Sequence, residues 1–293
     1  MPPESSKKRT YEDTQTRQKD NFDRLVPPLP GPWAKAMERF FSGDWIKPAK
    51  HQQFLELQRI QQELKPNENI TGETIKDYFA VISAIKASCR HRCTQPVICM
   101  DPSAATQLLD RLPGDPWPCF PNLSEIEKTG FHYILWPIEH NQHWSLVEIR
   151  RSGEFDCAIV RAHDSLSIVT GPRTSKALET IVQYLQNFNY PGGLKWENFD
   201  VRPSWVFGSL LWGQAQASND GGVWSMLLSR QAVLDYWSLI SVDLPHDEEE
   251  RLELTKKIGQ RARVRLAAEI IAKTTNLDDA VVPSWLRKNT SVE

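Results

Sequence analysis

Three observations predict an α+β fold. Apolar residues recur at three- and four-residue steps up to residue 85, and again from residue 175 onward. Between these stretches, short segments rich in β-formers alternate with polar or glycine-containing turns. Helices and strands thus fall in blocks, which is the α+β pattern.

The elements follow in order. Residues 1–24 carry eleven charged side chains and almost no aliphatic ones, too little apolar surface to offset the entropy cost of ordering. With the proline-rich hinge Pro27-Pro28-Leu29-Pro30-Gly31-Pro32 they are expected to form a disordered tail over residues 1–32. Lys7-Lys8-Arg9 is the one stretch there with the character of a nuclear import patch, although three basic residues in a charged tail are usually just solvated. From Trp33 the pattern is helical, with Phe54, Leu57, Ile60 and Leu64 on one face until Pro66-Asn67 breaks the period. A second helix starts at Thr71-Gly72-Glu73 and repeats at Ile75, Phe79, Ile82 and Ile85.

Strands are predicted at Val97 to Met100, Phe131 to Ile138, Trp144 to Ile149 and Phe155 to Val160, all in one sheet. Helix returns from Ser175 to Phe188 and from Val223 to Ile240. A last helix spans Asp247 to Lys273, its acidic start and basic middle matching the helix dipole. Ile258, Ala262, Leu266 and Ile270 step by four along it, and core packing is their expected use. The organisation expected is a domain over residues 33–245 followed by a charged helix and tail, 246–293.

The 293 residues carry 35 Lys+Arg against 37 Asp+Glu, a balance that excludes a polyanion binder built on bulk charge, so no nucleic-acid partner is expected. No apolar run reaches the roughly 20 residues of a membrane helix, and the N-terminus has no apolar core for a secretory signal. The expected location is intracellular, nucleus or cytoplasm, with no membrane partner. Five cysteines, an odd and loosely spaced set, do not make a disulfide framework. Cys89, His91, Cys93 and Cys99 lack the second close pair of a zinc site, and no cofactor or metal is expected.

Two segments carry candidate chemistry. The first contains Pro137-Ile138 and His143-Trp144, with Asp164 in Asp164-Ser165-Leu166 twenty-one residues after His143. A hairpin turning at Ser152-Gly153 brings His143 and Asp164 to one end of the sheet. A carboxylate on one imidazole nitrogen fixes the tautomer and leaves the other as general base. The second is the polar run from Gln214 to Gly222, feeding an apolar helix. At such a helix N-terminus a thiol is acidified and an oxyanion stabilised, and Gln214 or Gln216 can add a side-chain N–H. The place suits a nucleophile, but no nucleophile is there.

From about Ile70 to Ile240 the sequence resembles the ubiquitin-like-protein-specific cysteine proteases, the SUMO and NEDD8 protease family. The family pattern is Pro-Ile, His-Trp, Asp-Ser-Leu, then Gln shortly before Asp-Cys-Gly at the head of the central helix. Here it reads Pro137-Ile138, His143-Trp144, Asp164-Ser165-Leu166, Gln214 or Gln216, and Asp220-Gly221-Gly222. The resemblance implies a papain-like fold, a central mixed sheet packed by helices, with His, Asp, Gln and then Cys in chain order. It implies His143 and Asp164 as base and orienter, a glutamine oxyanion donor, and Trp144, Asp220 and Gly222 along the substrate's tail. The partner implied is SUMO, NEDD8, ubiquitin or their conjugates.

The departure is at the nucleophile, where Gly221 stands. Losing a triad's nucleophile costs on the order of 10⁶ in turnover. Where the family often has a tryptophan clamping the Gly-Gly tail, this chain reads Asn69-Ile70-Thr71. Ser218 is out of register as a substitute, and neither Cys119 nor Cys157 sits at a helix N-terminus. The expectation is a family member without catalysis that binds ubiquitin-like proteins. Two alternatives stand beside it. One is an active deconjugating protease whose Gly221 is a variant of cysteine, a one-base change; the other is an interaction scaffold with an idle cleft.

Overall fold

A computed structural model describes residues 22–23, 25–85, 97–120, 123, 133–140, 143–151, 157–164, 167–187, 198–203, 220–234 and 247–287. The elements are α1 (Gly31–Ser42), α2 (His51–Glu63), α3 (Gly72–Ile85), β1 (Val97–Cys99), α4 (Pro102–Leu109), β2 (Tyr133–His140), β3 (His143–Arg151), β4 (Cys157–Asp164), α5 (Ser167–Asn187), β5 (Asn198–Pro203), α6 (Gly221–Val233) and α7 (Glu248–Ala272).

The sheet is mixed, in the order β1-β2-β3-β4-β5. The two outer pairings, β1 with β2 and β4 with β5, are parallel, and the inner two are antiparallel. Pro137 sits inside β2 opposite Leu146 of β3, but past Leu135, where β1 stops. Its missing N–H therefore costs the β1 ladder nothing.

Alternation along the central strands sends side chains to two cores. Leu135, Trp144 and Leu146 join one core with α1, α2, α3, α6 and α7, while Ile134, Trp136, Val147, Ile149 and Val160 join another with α4 and α5. The sheet is thus a middle layer between helices. α6 is buried from Gly221 through Ala232, so it is a core helix on every side. On the same sheet face as Leu146, the buried Glu148 carboxylate and His163 Nε2 meet at 2.9 Å.

As expected, Ile258, Ala262, Leu266 and Ile270 are used in core packing: they lie in the same core as α6, so α7 belongs to this packed unit. The expectation of a disordered tail and hinge over residues 1–32 does not hold at its C-terminal end, because Leu25 and Val26 are fully buried in that core. Asp23 pairs with Arg261 of α7 at 2.6 Å, and the Arg261 guanidinium lies over the Phe22 ring. Aliphatic side chains beside the hinge, few as they are, suffice to hold it.

Smaller differences have local causes. α4 was not expected, yet Asp101 accepts from the Ser103 N–H as its N-cap and Pro102 follows in the first turn. α5 begins eight residues before the expected start, at Ser167, because Gly171-Pro172 masks the apolar period of its first turns. The expected end of α6 at Ile240 lies outside the described residues, within which the helix runs to Val233.

Candidate functional site

The site forms where the N-terminus of α6 meets the start of β3. Gly221 is the first residue of α6 and His143 the first of β3. A Cβ placed on Gly221 falls 2.8 Å from His143 Nδ1, and 2.9 Å from both the backbone N and the backbone O of Trp144. Real Cβ atoms do not approach backbone so closely. The imidazole therefore faces position 221, and β3 has closed on that position so far that even a methyl group displaces it.

Gly222 is equally enclosed. A Cβ there lies 2.8 Å from Ile70 Cβ and 3.3 Å from Trp144 Cδ1. Trp144 is only 2% exposed, and its Nε1 donates to the Ile70 carbonyl at 2.7 Å. Ile70, at 4% exposure, thus covers both the glycine and the indole. The tryptophan expected along a substrate's tail is, in this conformation, a core residue.

Asp220 precedes the helix but does not cap it with its side chain. Its carboxylate goes to α7 instead, where Arg263 Nε and Nη2 donate to Oδ1 at 3.0 and 2.6 Å. The same guanidinium donates to the carbonyls of Glu63, Lys65 and Glu68, each at 2.9 Å. Arg263 is 1% exposed, and these acceptors surround its charge as a buried arginine requires. The Glu63 carboxylate in turn accepts from both the N–H and the hydroxyl of Thr71. The loop between α2 and α3 is thereby tied at both ends.

Asp164 ends β4 opposite Ser145, one register step diagonal from His143. It lies at the sheet end where His143 begins. Gln214, Gln216 and Ser218 are outside the described residues, as are Cys89, His91 and Cys93. Cys119 is exposed. Burial pushes the Cys99 thiol up to about 12, only partly offset by the Ser83 hydroxyl, so it is no thiolate at neutral pH. Among the described residues no group of three or more His, Cys, Asp or Glu is arranged to hold a metal, and no helix is long and apolar enough to cross a membrane.

Sequence reasoning noticed Asn69-Ile70-Thr71 but not what it does, and it read Arg263 only as part of a basic stretch. Arg263 gave one unused signal: it follows Ala262 on the apolar side of α7, where a solvated arginine does not belong.

The fold is similar to that of solved Ulp1-like SUMO proteases. The structure is similar to the SUMO protease Ulp1 with its catalytic cysteine oxidised to a sulfenic acid, at 17% identity and a TM-score of 0.54, over 84% of this chain and 96% of that one. The sulfonic acid form of Ulp1 is similar at 15% identity and a TM-score of 0.51, over 84% and 97%. The catalytic domain of the Chaetomium thermophilum Ulp1-like SUMO protease is similar at 15% identity and 0.50, over 89% and 94%. At such identities the likeness is one of fold. No family model and no curated protein matches the sequence.

Proposed function

We propose that the chain is a ubiquitin-like-protein protease family member that has lost peptidase chemistry and works by binding a ubiquitin-like protein, SUMO, NEDD8 or ubiquitin, or its conjugates. The observation that carries this reading is Gly221, at the head of α6 and against His143 Nδ1. In an acyl-transfer site of this type the group at that place attacks the carbonyl, and glycine has nothing to attack with. In the proposal His143 and Asp164 are the remaining base and orienter, and Gln214 or Gln216 is the oxyanion donor. Trp144, Asp220 and Gly222 flank the former path of the substrate's tail.

The packing around position 221 fits a glycine and would have to shift to take a cysteine. A cysteine Cβ has the same three close contacts as any other, two of them with backbone. Backbone does not yield as a flexible side-chain end does.

The test is a side-by-side assay of the wild-type chain and Gly221→Cys on fluorogenic ubiquitin, SUMO and NEDD8 substrates, with titration of the three free proteins. The expected result is no turnover by the wild type, at most trace turnover by the variant, and binding of one protein at tens of micromolar or tighter, about −6 kcal/mol. Turnover by the wild type, or no binding to any of the three, overturns the proposal.

A further inference from the structure

We propose that the aromatic surface formed by Trp45, Phe54 and Trp285 is a docking site for an acidic peptide that carries large apolar side chains. The inference does not rest on the proposed function, because this surface lies away from the head of α6. Phe54 and Glu63, whose carbonyl accepts from Arg263, stand at opposite ends of α2, about 13 Å apart along its axis.

Three segments of the chain build the surface. Trp45 follows the end of α1, Phe54 sits in the first turn of α2, and Trp285 comes from the 3-10 turn at Ser284–Leu286. The Ile46 N–H donates to the Trp285 carbonyl at 3.0 Å, which pins the first segment against the last. The Trp45 ring then meets Phe54 at 5.9 Å and Trp285 at 5.6 Å between centroids. All three rings are half-buried, while Ile46 and Leu55 beside them keep 44% and 43% of their surface. Among the described residues only four large hydrophobic side chains are so exposed, and these are two of them. Gathered against three half-open rings, they make an apolar face rather than the scattered exposure ordinary on any protein.

The charge around this face selects the occupant. From Trp45 to Leu55 the chain has Lys47, Lys50 and His51 but no Asp or Glu. Lys47 Nζ lies over the Phe54 ring, 5.2 Å from its centroid, so its charge is presented at the rings themselves. Lys50 is the N-cap of α2, whose first turn has neither an acidic residue nor a side-chain cap. α4 and α7, by contrast, are capped by Asp101 and Asp247. The positive end of α2 therefore adds to the two lysines instead of being neutralised. An acidic segment supplies the missing carboxylates while its apolar side chains cover the rings.

A second copy of the chain fits worse, since a two-fold contact through this face brings Lys47 and Lys50 toward their own counterparts. So does an anionic membrane, which recruits clusters of about four to eight basic residues.

The test titrates the full chain with a synthetic peptide in which aspartate alternates with phenylalanine and leucine, and with a counterpart carrying lysine for aspartate, while NMR follows the tryptophan indole N–H signals. The acidic peptide is expected to bind at about 100 μM or tighter and to shift Trp45 and Trp285, leaving the buried Trp136 and Trp144 unmoved. The double variant Lys47→Glu, Lys50→Glu should weaken binding about tenfold. Both positions are exposed, and an acid at the start of α2 favours the helix, so the loss is not one of folding. Ile46→Ser, also at an exposed position, should weaken binding about threefold.

No binding of the acidic peptide, equal binding of the lysine peptide, or unchanged affinity in the double variant overturns the proposal. So does binding confined to phosphatidylserine vesicles, which assigns the face to a membrane, or a dimer in sedimentation that Ile46→Ser dissolves, which assigns it to a second copy.

Discussion

At its N-terminal end α6 meets α7 through Asp220 and Arg263, and at its C-terminal end through Arg230 and Glu269. The second junction is the drier one. Glu269 is fully buried and accepts from Arg230 at 3.2 Å, from Arg265 at 2.7 Å and from the Tyr78 hydroxyl at 2.8 Å. Arg265 continues to the carbonyls of Pro27, Pro28 and Thr275. Burial raises the Tyr78 pKa well above its ordinary value, ahead of the Glu269 charge, so the hydroxyl stays protonated and donates. At the first junction the Asp220 side chain keeps a quarter of its surface, and the acceptors are mostly loop carbonyls. One end of α6 is thus locked into the interior, while the other is fastened to a loop that covers the candidate site. The same type of residue fixes the fold at one end and shapes a cleft at the other.

The largest effect is expected at the locked end. Glu269→Ala strands two arginines and a tyrosine hydroxyl inside the core and should cost about 3–5 kcal/mol, read as a fall in the urea midpoint. Glu269→Gln keeps an acceptor and should cost less. If Glu269→Ala is no worse than an average core hydrogen-bond loss, the two ends do not differ as described.

Arg263→Met comes next, at about 2–3 kcal/mol, since Asp220 can rehydrate at its exposed edge while the loop carbonyls lose a charged donor. Unlike Glu269→Ala, it should also accelerate proteolysis within residues 64–71, which limited digestion and mass spectrometry would locate. Digestion starting elsewhere would separate Arg263 from the loop.

Gly221→Ala should cost about 1–3 kcal/mol, through overpacking against the Trp144 backbone. Gly31 is the control: it opens α1 with nothing within 4 Å of a built Cβ, so Gly31→Ala should be neutral or stabilising by up to about 1 kcal/mol. Thermal melts of the pair separate crowding from helix propensity, and equal melting temperatures would mean that β3 gives way readily at position 221.

The contrast between the two ends also explains what was legible in the sequence. α2, α3, α7 and the inner strands announced themselves through local period, because each buries one continuous face. β5 did not: Asn198–Pro203 offers only Phe199 and Val201 in alternation, and its strand character comes from parallel pairing with β4, a tertiary fact. The juxtaposition of His143 with position 221 could be inferred from ordered motifs. The closure over it could not, since Ile70 meets Gly222 and Trp144 across long sequence separations that no spacing rule encodes. Arg265 and Glu269 have the i, i+4 spacing common on exposed helix faces, yet both are core. Charge patterning reports that a helix has polar residues, and only packing reports whether water reaches them.

The smallest effect sharpens the comparison most. Trp144→Phe keeps most of the aromatic volume and removes the one N–H donated to Ile70, so its cost should be about 1 kcal/mol. Its value lies in double-mutant cycles. Trp144 and Arg263 share no bond, but both hold the loop of residues 64–71 against the head of α6. Once Arg263→Met has freed the loop, the indole bond has little left to stabilise, and the second substitution should cost clearly less than it does alone. Trp144 and Glu269 have no such common element, so Trp144→Phe should add its full cost to that of Glu269→Ala. Equal coupling in the two cycles would mean that α6 transmits strain along its whole length and that its ends are not separate structures. Coupling confined to Arg263 would mark the loop, Arg263 and the head of α6 as one cooperative unit, able to open without involving the rest of the core.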